Sequence, residues 1–500
     1  MHQDNEVLVV GGGPVGLMAL MLLGHAGIRA VGVEREPDMW PHARAVHFSG
    51  EIMRLLQAVG LADEFAARSK PMRDVRMENE AGETLVALTA GHLGSQAWHE
   101  ETLFHQPDLE ALLRGEVARL PHVELRSGCT LVDLEQKDGA VRCRIRTQAG
   151  EEEDITARWV IGCDGAHSTV RQLLDIATEN LGTDDPWLVV DGHLRGTDGI
   201  PGDMVVLGHH TRPALWVRLP DGRARMEFKV MPEDDPAALP TPESIARISR
   251  GVLTPDTFEP ERRAIYTFRS RLATTWRVGN VFLAGDAAHQ APPLFGMGLC
   301  AGLRDVANLV WKLRLVSLGK AEENLLDTYE PERKAHARHW VETAANMAVV
   351  VQATDPVTAK QRDEFIRANP AASQPPPPPI GPGLHAGTEP AGTLSIQPVL
   401  ADGRRLDDLV GRRFLVAARP ELIAGLSPDT RALTNDTAEV ALLTAPEEID
   451  QLLASVDAPA VVIRPDRYIL GTAHEGADLE SLLQMLPTRP STPTGDTLAR

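Results

Sequence analysis

Glycines spaced at fixed intervals after an apolar run, and carboxylates at the ends of such runs, are the residues of this 500-residue chain that could do chemistry. The first run, residues 6–10, breaks into Gly11, Gly13 and Gly16. In that GxGxxG spacing one glycine makes a tight turn, the next lets backbone approach a pyrophosphate, and the third packs helix against strand. Pro14 and Val15 complete the turn, and the helix-like stretch 17–26 follows, so a helix N-terminus faces the phosphates. A second apolar run, 30–33, ends in Glu34 and Arg35, about 20 residues downstream, where an acid meets a ribose hydroxyl. This is the chemistry of dinucleotide binding. GxGxxG alone leaves open a plainer reading, a glycine turn followed by an ordinary strand-end carboxylate.

Two further apolar runs end in the same way. Trp159-Val-Ile-Gly162 leads into Asp164-Gly165 and on through Ala-His-Ser168-Thr-Val-Arg171. The run beginning at Asn280 leads into Gly285-Asp286 and on through Ala-Ala-His289-Gln-Ala-Pro-Pro293. Aspartate in such places also caps helices, and capping can coexist with cofactor contact. The elements that must carry these motifs follow from pattern. A βαβ unit runs to about residue 35 and a helix over 50–61, with Ile52, Leu55, Leu56 and Val59 on one face. Pro107 opens a helix over 106–114, and strands are expected at 123–127, 131–134, 141–146 and 159–162. Residues 186–268 read as β-rich, a candidate inserted substrate domain. A long amphipathic helix over 298–318 starts at Gly298 and Leu299. Five consecutive prolines, 375–379, make 369–390 a stiff extended linker, and a small α/β unit follows, with strands at 413–417 and 460–464 and a helix at 446–453.

Hydrophobic residues are 43% of the chain, enough for two or three domains with large cores. A formal charge of -20 sets repulsion against any polyanion, which excludes nucleic acid or an acidic membrane surface as main partner. The apolar start carries Asp4 and Glu6 where a signal peptide has basic residues, and no stretch reaches the roughly 18 apolar residues of a spanning helix. Cys129, Cys143, Cys163 and Cys300 form no CxxC, so neither a zinc site nor a disulfide framework is expected. His105, His167 and His289 have no ligand spacing, and no metal is expected. These features point to a cytoplasmic protein.

The three motifs, in their order and spacing, resemble the flavin-dependent aromatic hydroxylases, single-component FAD monooxygenases that act on phenols. The resemblance covers roughly residues 5–350. Arg44-Ala-Val-His-Phe48, Phe104-His-Gln-Pro-Asp-Leu-Glu110, Trp187-Leu-Val-Val-Asp191 and Gly298-Leu-Cys-Ala-Gly-Leu-Arg-Asp305 look most like the 3-(3-hydroxyphenyl)propionate hydroxylases. The resemblance implies an α/β fold with a glutathione-reductase-type Rossmann domain, an inserted α+β substrate domain and a C-terminal thioredoxin-like domain. The expected bounds are 1–75, 105–185 and 271–368 for the FAD domain, 76–104 and 186–270 for the substrate domain, 369–390 for the linker and 391–500 for the last unit. That unit holds none of the four cysteines, so packing or assembly is its expected role. A homodimer is compatible with the sequence but not specified by it.

By the same resemblance, Asp286 contacts the flavin ribityl chain and Asp164-Gly165 serves both FAD and the nicotinamide co-substrate, NADH or NADPH. Arg44 and Gln106 meet the FAD phosphate and ribityl region, and the Pro293 carbonyl faces the substrate. NAD(P)H reduces FAD, oxygen adds at flavin C4a, and an electron-rich ring attacks the hydroperoxide, with water kept out by walls such as 292–296. Gly296-Met-Gly298 and Cys300 depart from the commoner family pattern. A larger departure follows Phe48, where the family leads one to expect an Asp that helps deprotonate the phenol. Here Ser49 and Gly50 follow. His47, Tyr266 or Arg269 are then the candidates for activating the substrate, and His47, whose ordinary pKa is near neutrality, is also readable as a hydrogen-bonded histidine lining the cleft. The alternatives are a tailoring oxygenase of a polycyclic or polyketide aromatic, by hydroxylation, epoxidation or Baeyer-Villiger chemistry, and a flavin-binding relative without turnover.

Overall fold

The computed structural model describes residues 5–89, 91–182, 184–196, 202–293, 296–370, 376–435 and 438–487. Pro375, the expected pocket-wall residues Leu294 and Phe295, and residues 488–500 of the expected last unit lie outside the described residues.

Five parallel strands form the centre of the main sheet, and all but the edge strand Val123–Ser127 carry a buried apolar run, the pattern of a parallel sheet covered by helices. Their order is Val123–Ser127, Ala30–Glu34, Asn5–Val10, Glu152–Gly162 and Val281–Leu283, all parallel. Cys129–Lys137 and Ala140–Thr147 extend Glu152–Gly162 as an antiparallel meander. The helix Pro14–His25 packs on this sheet and against the long helix Met297–Ser317. The three strand-end motifs therefore emerge side by side, from adjacent strands, at one edge of one sheet. The helix expected over 50–61 stops at Gln57, and Gly60, at φ +77°, turns the chain before a second short helix, Ala62–Ala66.

A second sheet of seven strands runs Phe258–Phe268, Asp185–Leu194, Arg223–Lys229, Ala214–Arg218, Met204–Gly208, Asp74–Asn79 and Thr84–Thr89. Only the contact between Met204–Gly208 and Asp74–Asn79 is parallel. Its own apolar layer, with Leu188, Val190, Trp216 and Phe228, is closed by the helix Pro242–Ile248. Between the two sheets sits a small three-stranded one in which Glu101–Leu103 pairs with both His47–Ser49 and Lys70–Pro71.

Phe414–Ala418, Val440–Leu443, Ala460–Ile463 and Ile469–Ala473 form a four-stranded sheet whose first two strands are parallel and whose other pairings are antiparallel. Strand alternation divides its side chains. Phe414, Val416, Ala418, Val440, Ala460 and Val462 join the main core, where Trp311 meets Phe414 edge to face at 5.5 Å. Leu415, Ala417, Ala441, Val461 and Ile463 face the unit's own helix Pro446–Ser455. The unit is also tied on by buried charge. Glu332 accepts from Lys312 at 2.7 Å and from Arg464 at 2.8 and 2.9 Å. The end of the expected linker is docked rather than free, since Gly381 donates to the Glu332 carbonyl and Ile380 is buried. Among the described residues, no helix is long and apolar enough to cross a membrane.

Candidate active site

At one end of the cleft the chain is positioned by its own backbone. Gly11 has φ +107°, and a Cβ there would stand 2.4 Å from the Cys163 carbonyl oxygen. A Cβ on Gly16 would stand 1.9 Å from the Gly11 carbonyl oxygen, so turn and helix touch without side chains between them. Gly13 differs, because a Cβ there would meet nothing within 4 Å. It caps Pro14–His25 at a helix N-terminus with no acid in its first turn, leaving N–H groups and positive dipole for an anion. Glu34 accepts from the Gly12 N–H at 2.5 Å and from the Glu36 N–H at 2.9 Å, while Arg35 is exposed beside Glu36. Val15 packs beneath Gly285 and Gly302, joining the first motif to the third.

The peptide units around Arg44 are gripped from both sides. Gln106 Oε1 accepts from the N–H groups of Arg44 and Ala45 at 3.0 and 2.7 Å, and its Nε2 donates to Glu110 at 2.7 Å. Arg225 donates to the carbonyls of Arg44 and Ala43 at 2.6 and 2.5 Å, and Arg262 donates to the Ala43 carbonyl at 3.0 Å. Asp191 holds Arg225 in a two-bond pair at 2.7 and 3.1 Å. The second sheet thus fixes the loop that carries Arg44, and Gln106 acts on that loop's backbone. Arg114 donates to the Gly12 carbonyl at 2.9 Å.

The Gly285-Asp286 turn rests on a fully buried cluster. Asp305 accepts from the Gly285 N–H at 3.0 Å, shares 2.7 Å with His289 Nε2 and pairs with Arg333 at 3.0 Å. Burial pushes the Asp305 carboxyl up, but His289 and Arg333 outweigh it and hold it below the ordinary range. Asp286 is itself exposed on that turn, with protein crowded around it. That setting raises its carboxyl, against the pull of His289 and Arg44. Asp164 is also pushed up by burial; one oxygen accepts from the Val170 N–H at 3.0 Å, in the first turn of a helix whose cap is Ser168, and the other is buried without a hydrogen-bond partner. Arg171 stitches the two loops, donating to the carbonyls of Ala287 and Ala166 at 2.8 and 2.9 Å.

At the other end of the cleft stands His47, buried, with Nδ1 3.1 Å from Glu101. A Cβ on Gly296 would lie 2.6 Å from its Nε2, and Gly296, at φ +62°, caps the helix Met297–Ser317. The Pro293 carbonyl accepts from the Gly296 N–H at 2.9 Å, leaving its second lone pair for another donor. Gly298 has open space where a Cβ would be, and Leu299 packs on the main core. Tyr266 lies under the Arg262 guanidinium at 4.6 Å, so it belongs to the Arg44 side of the cleft. Arg269 is not brought to His47: it is partly exposed and paired with Asp184 at 3.4 Å.

The open sides of Gly13, Gly165 and Gly298 and the orphaned Asp164 oxygen fit a dinucleotide whose flavin end reaches the Asp286 turn. Among the described residues, no group of three or more His, Cys, Asp or Glu could hold a metal ion. The family described as "FAD binding domain" matches residues 4–344. A Rhodococcus jostii protein described as a probable NADH-specific resorcinol 4-hydroxylase is 31% identical over 98% of this chain and 97% of its own. A 3-(3-hydroxy-phenyl)propionate/3-hydroxycinnamic acid hydroxylase of Burkholderia cenocepacia is 34% identical over 93% of both chains. Among solved structures, aklavinone-11 hydroxylase with FAD and aklavinone is 25% identical, has a TM-score of 0.80 and covers 98% of this chain and 100% of its own. The chain belongs to the FAD-binding family of flavin-dependent aromatic hydroxylases. It is a flavin monooxygenase with FAD as cofactor and NAD(P)H as co-substrate.

Sequence reasoning missed Glu101, Asp305, Arg225, Arg262 and Asp191 as parts of the site. Asp305 and Asp191 stand inside motifs already quoted for the resemblance, so a signal was there. Glu101 had none, because only strand pairing brings it to His47.

Proposed function

We propose that this protein hydroxylates a small monocyclic phenol such as a hydroxyphenylpropionate or resorcinol. The observation that carries this reading is a histidine held by a carboxylate at the N-terminus of Met297–Ser317, the helix that follows the Asp286 turn and Pro293. A base at the ring end of a dinucleotide cleft is what phenol activation requires. When bound, FAD accepts reducing equivalents from NAD(P)H and supplies one atom of O2 to the ring.

The chain's own groups divide the work. Glu34 and Arg35 meet the adenosine ribose, the helix N-terminus at Gly13, Pro14 and Val15 meets the pyrophosphate, and Arg44, steadied by Gln106, adds its charge there. Asp286 and Asp164 take flavin hydroxyls, Gly165 and Gly285 let the chain come close, and Gly298 and Leu299 offer N–H groups at the ring edge. Pro293 lines the substrate side, and Tyr266 stands with Arg262 on the Arg44 side. The seven-stranded sheet is the substrate domain, its strands starting at Asp74 and Asp185, and the last unit is a thioredoxin-like domain without thiols that buttresses Met297–Ser317. Its strand order, with 440–443 outside 414–418 and then 460–463 and 469–473, supports that reading. We infer a cytoplasmic enzyme and leave a homodimer to be tested.

The test is NADH and NADPH consumption by the FAD-loaded protein with hydroxyphenylpropionates, simple phenols and polycyclic phenols, with product masses. Consumption stimulated by a monocyclic phenol, with product gaining one oxygen atom, is expected. A polycyclic product instead would favour a tailoring oxygenase, the reading that the likeness to aklavinone-11 hydroxylase supports. Bound FAD with no stimulated consumption would make the protein a binding relative without turnover.

A further inference from the structure

Position 49, where a carboxylate is expected and Ser49 stands, lies directly opposite Glu101 in the antiparallel pair His47–Ser49 and Glu101–Leu103. Directly opposed residues project from the same face of a sheet, their Cβ atoms roughly 5 Å apart. Residues two apart on one strand share a face as well, so His47, Ser49 and Glu101 stand together while Phe48 points the other way. Phe48 indeed packs into the aromatic core, 4.6 Å from Phe104 and 5.6 Å from Phe65 between ring centres. The Ser49 hydroxyl is buried without a partner, and the carboxylate opposite it is Glu101, 3.1 Å from His47 Nδ1.

We propose that Glu101, acting through His47, supplies the carboxylate that Ser49 leaves out. The proposal rests on the hydroxylase reading and deepens it. An ionised Glu101 can only accept, so Nδ1 carries the proton and Nε2 is the basic nitrogen. Among the described residues Nε2 has no hydrogen-bond partner; it lies against Gly296. The substrate O–H bond breaks, its proton passes to the Nε2 lone pair, and the bonding electrons stay on oxygen as phenolate. Neutral phenol and neutral imidazole become phenolate and imidazolium, and the Glu101 charge offsets the imidazolium. His47 is then the catalytic residue and Glu101 a positioning residue.

The other charged and titratable groups around the dyad are committed elsewhere or neutral. Lys70, on the neighbouring strand, pairs with Asp203 at 2.8 Å. On the helices, Glu51 and Arg304 pair at 2.7 Å. Cys300 is pushed up to about 11 by burial, with Glu101 and Glu51 adding to that and Arg304 opposing it.

The experiment uses FAD-loaded wild type, Glu101→Gln, His47→Asn and the double variant. The probes are 3-(3-hydroxyphenyl)propionate and resorcinol as weak acids and 4-nitrophenol as a strong one. Glu101→Gln is expected to lower ring oxygenation of the weak acids about tenfold or more, within the range of general-base effects. FAD content and flavin reduction stay unchanged, the loss shrinks as pH rises, and 4-nitrophenol is little affected. Bound 4-nitrophenol, read by its absorbance, ionises at higher pH in Glu101→Gln than in wild type. The double variant is no slower than His47→Asn alone, because Glu101 acts only through His47. Should Glu101→Gln not fold, Glu101→Asp keeps the charge, draws it back by one methylene and gives the same ranking. Equal rates for wild type and Glu101→Gln on the weak acids across pH would overturn the proposal. So would losses that multiply in the double variant. Wild-type holoenzyme that oxygenates no phenol would instead defeat the hydroxylase reading itself, a result visible before any variant is made.

Discussion

At the nucleotide end of the cleft the chain holds itself with glycines in backbone contact, Gly16 against Gly11 five residues before it and Gly11 against Cys163 at the end of the neighbouring strand. At the ring end the cleft is closed by side chains brought from strands and helices 16 to 54 positions apart. The first kind of site is rigid because nothing in it can rotate. The second is rigid only because each polar group is spent on another, so removing one leaves partners buried and unpaired. The two ends should therefore fail differently: one by steric collision, the other by uncompensated charge.

The largest expected effect tests the steric end. Gly16→Val puts side-chain atoms where the Gly11 carbonyl already stands and is expected to cost at least about 4 kcal/mol, so that no folded flavoprotein is recovered. Gly13→Val has free space and an extended backbone, φ -76° and ψ -177°, that any residue adopts. It should fold with near-native thermal stability and yet bind no FAD, as read from flavin content after purification. Equal behaviour of the two variants would erase the distinction between packing and ligand-facing glycines.

Asp305→Ala leaves His289 and Arg333 buried without their anion, a loss of about 3–5 kcal/mol in urea unfolding. The sign with pH follows from the direction of the shift. Asp305 is held below its unfolded value, so its contribution is full above that value and is lost as pH falls through it toward the folded one. Wild type should therefore lose stability faster than Asp305→Asn from roughly pH 5 downward. Matching acid limbs would mean that the cluster is not what steadies Gly285.

Gln106→Ala orphans the N–H groups of Arg44 and Ala45 but leaves the carbonyl grip of Arg225 and Arg262. A penalty of about 1–3 kcal/mol is expected, appearing partly as FAD affinity weakened by about tenfold in titration of the apoprotein. Unchanged affinity would show that the second sheet alone places Arg44.

The smallest effect belongs to Arg269→Ala. Its exposed pair with Asp184 is worth less than about 1 kcal/mol. Turnover should stay within about twofold, under half a kcal/mol in the barrier. A tenfold loss would return Arg269 to the site.

Much of the nucleotide end was legible because its determinants are local. GxGxxG, Glu34 and the two strand-end aspartates each describe a turn following an apolar run, and such runs in a parallel sheet deliver their ends to one edge. Helix stops were less legible: Ile52, Leu55, Leu56 and Val59 carry helical periodicity to 61, but Gly60 turns the chain first. The ring end was legible only in part. His47 is in the sequence as a candidate base and Ser49 as a missing acid, but nothing in the order of residues says that Glu101 stands across from Ser49.

The sequence by itself determined the cofactor class, the succession of motifs and the absence of cysteines from the last unit, because these depend on residue type and short spacing. Tertiary structure decided which carboxylate serves His47, which arginines grip Ala43 and Arg44, and which face of the last sheet joins the main core. A strand's alternation fixes which residues share a face, whereas its partner and register are set by packing across the whole molecule. A shift of one residue between 47–49 and 101–103 would have sent Glu101 to the Phe48 side and left His47 without an acid.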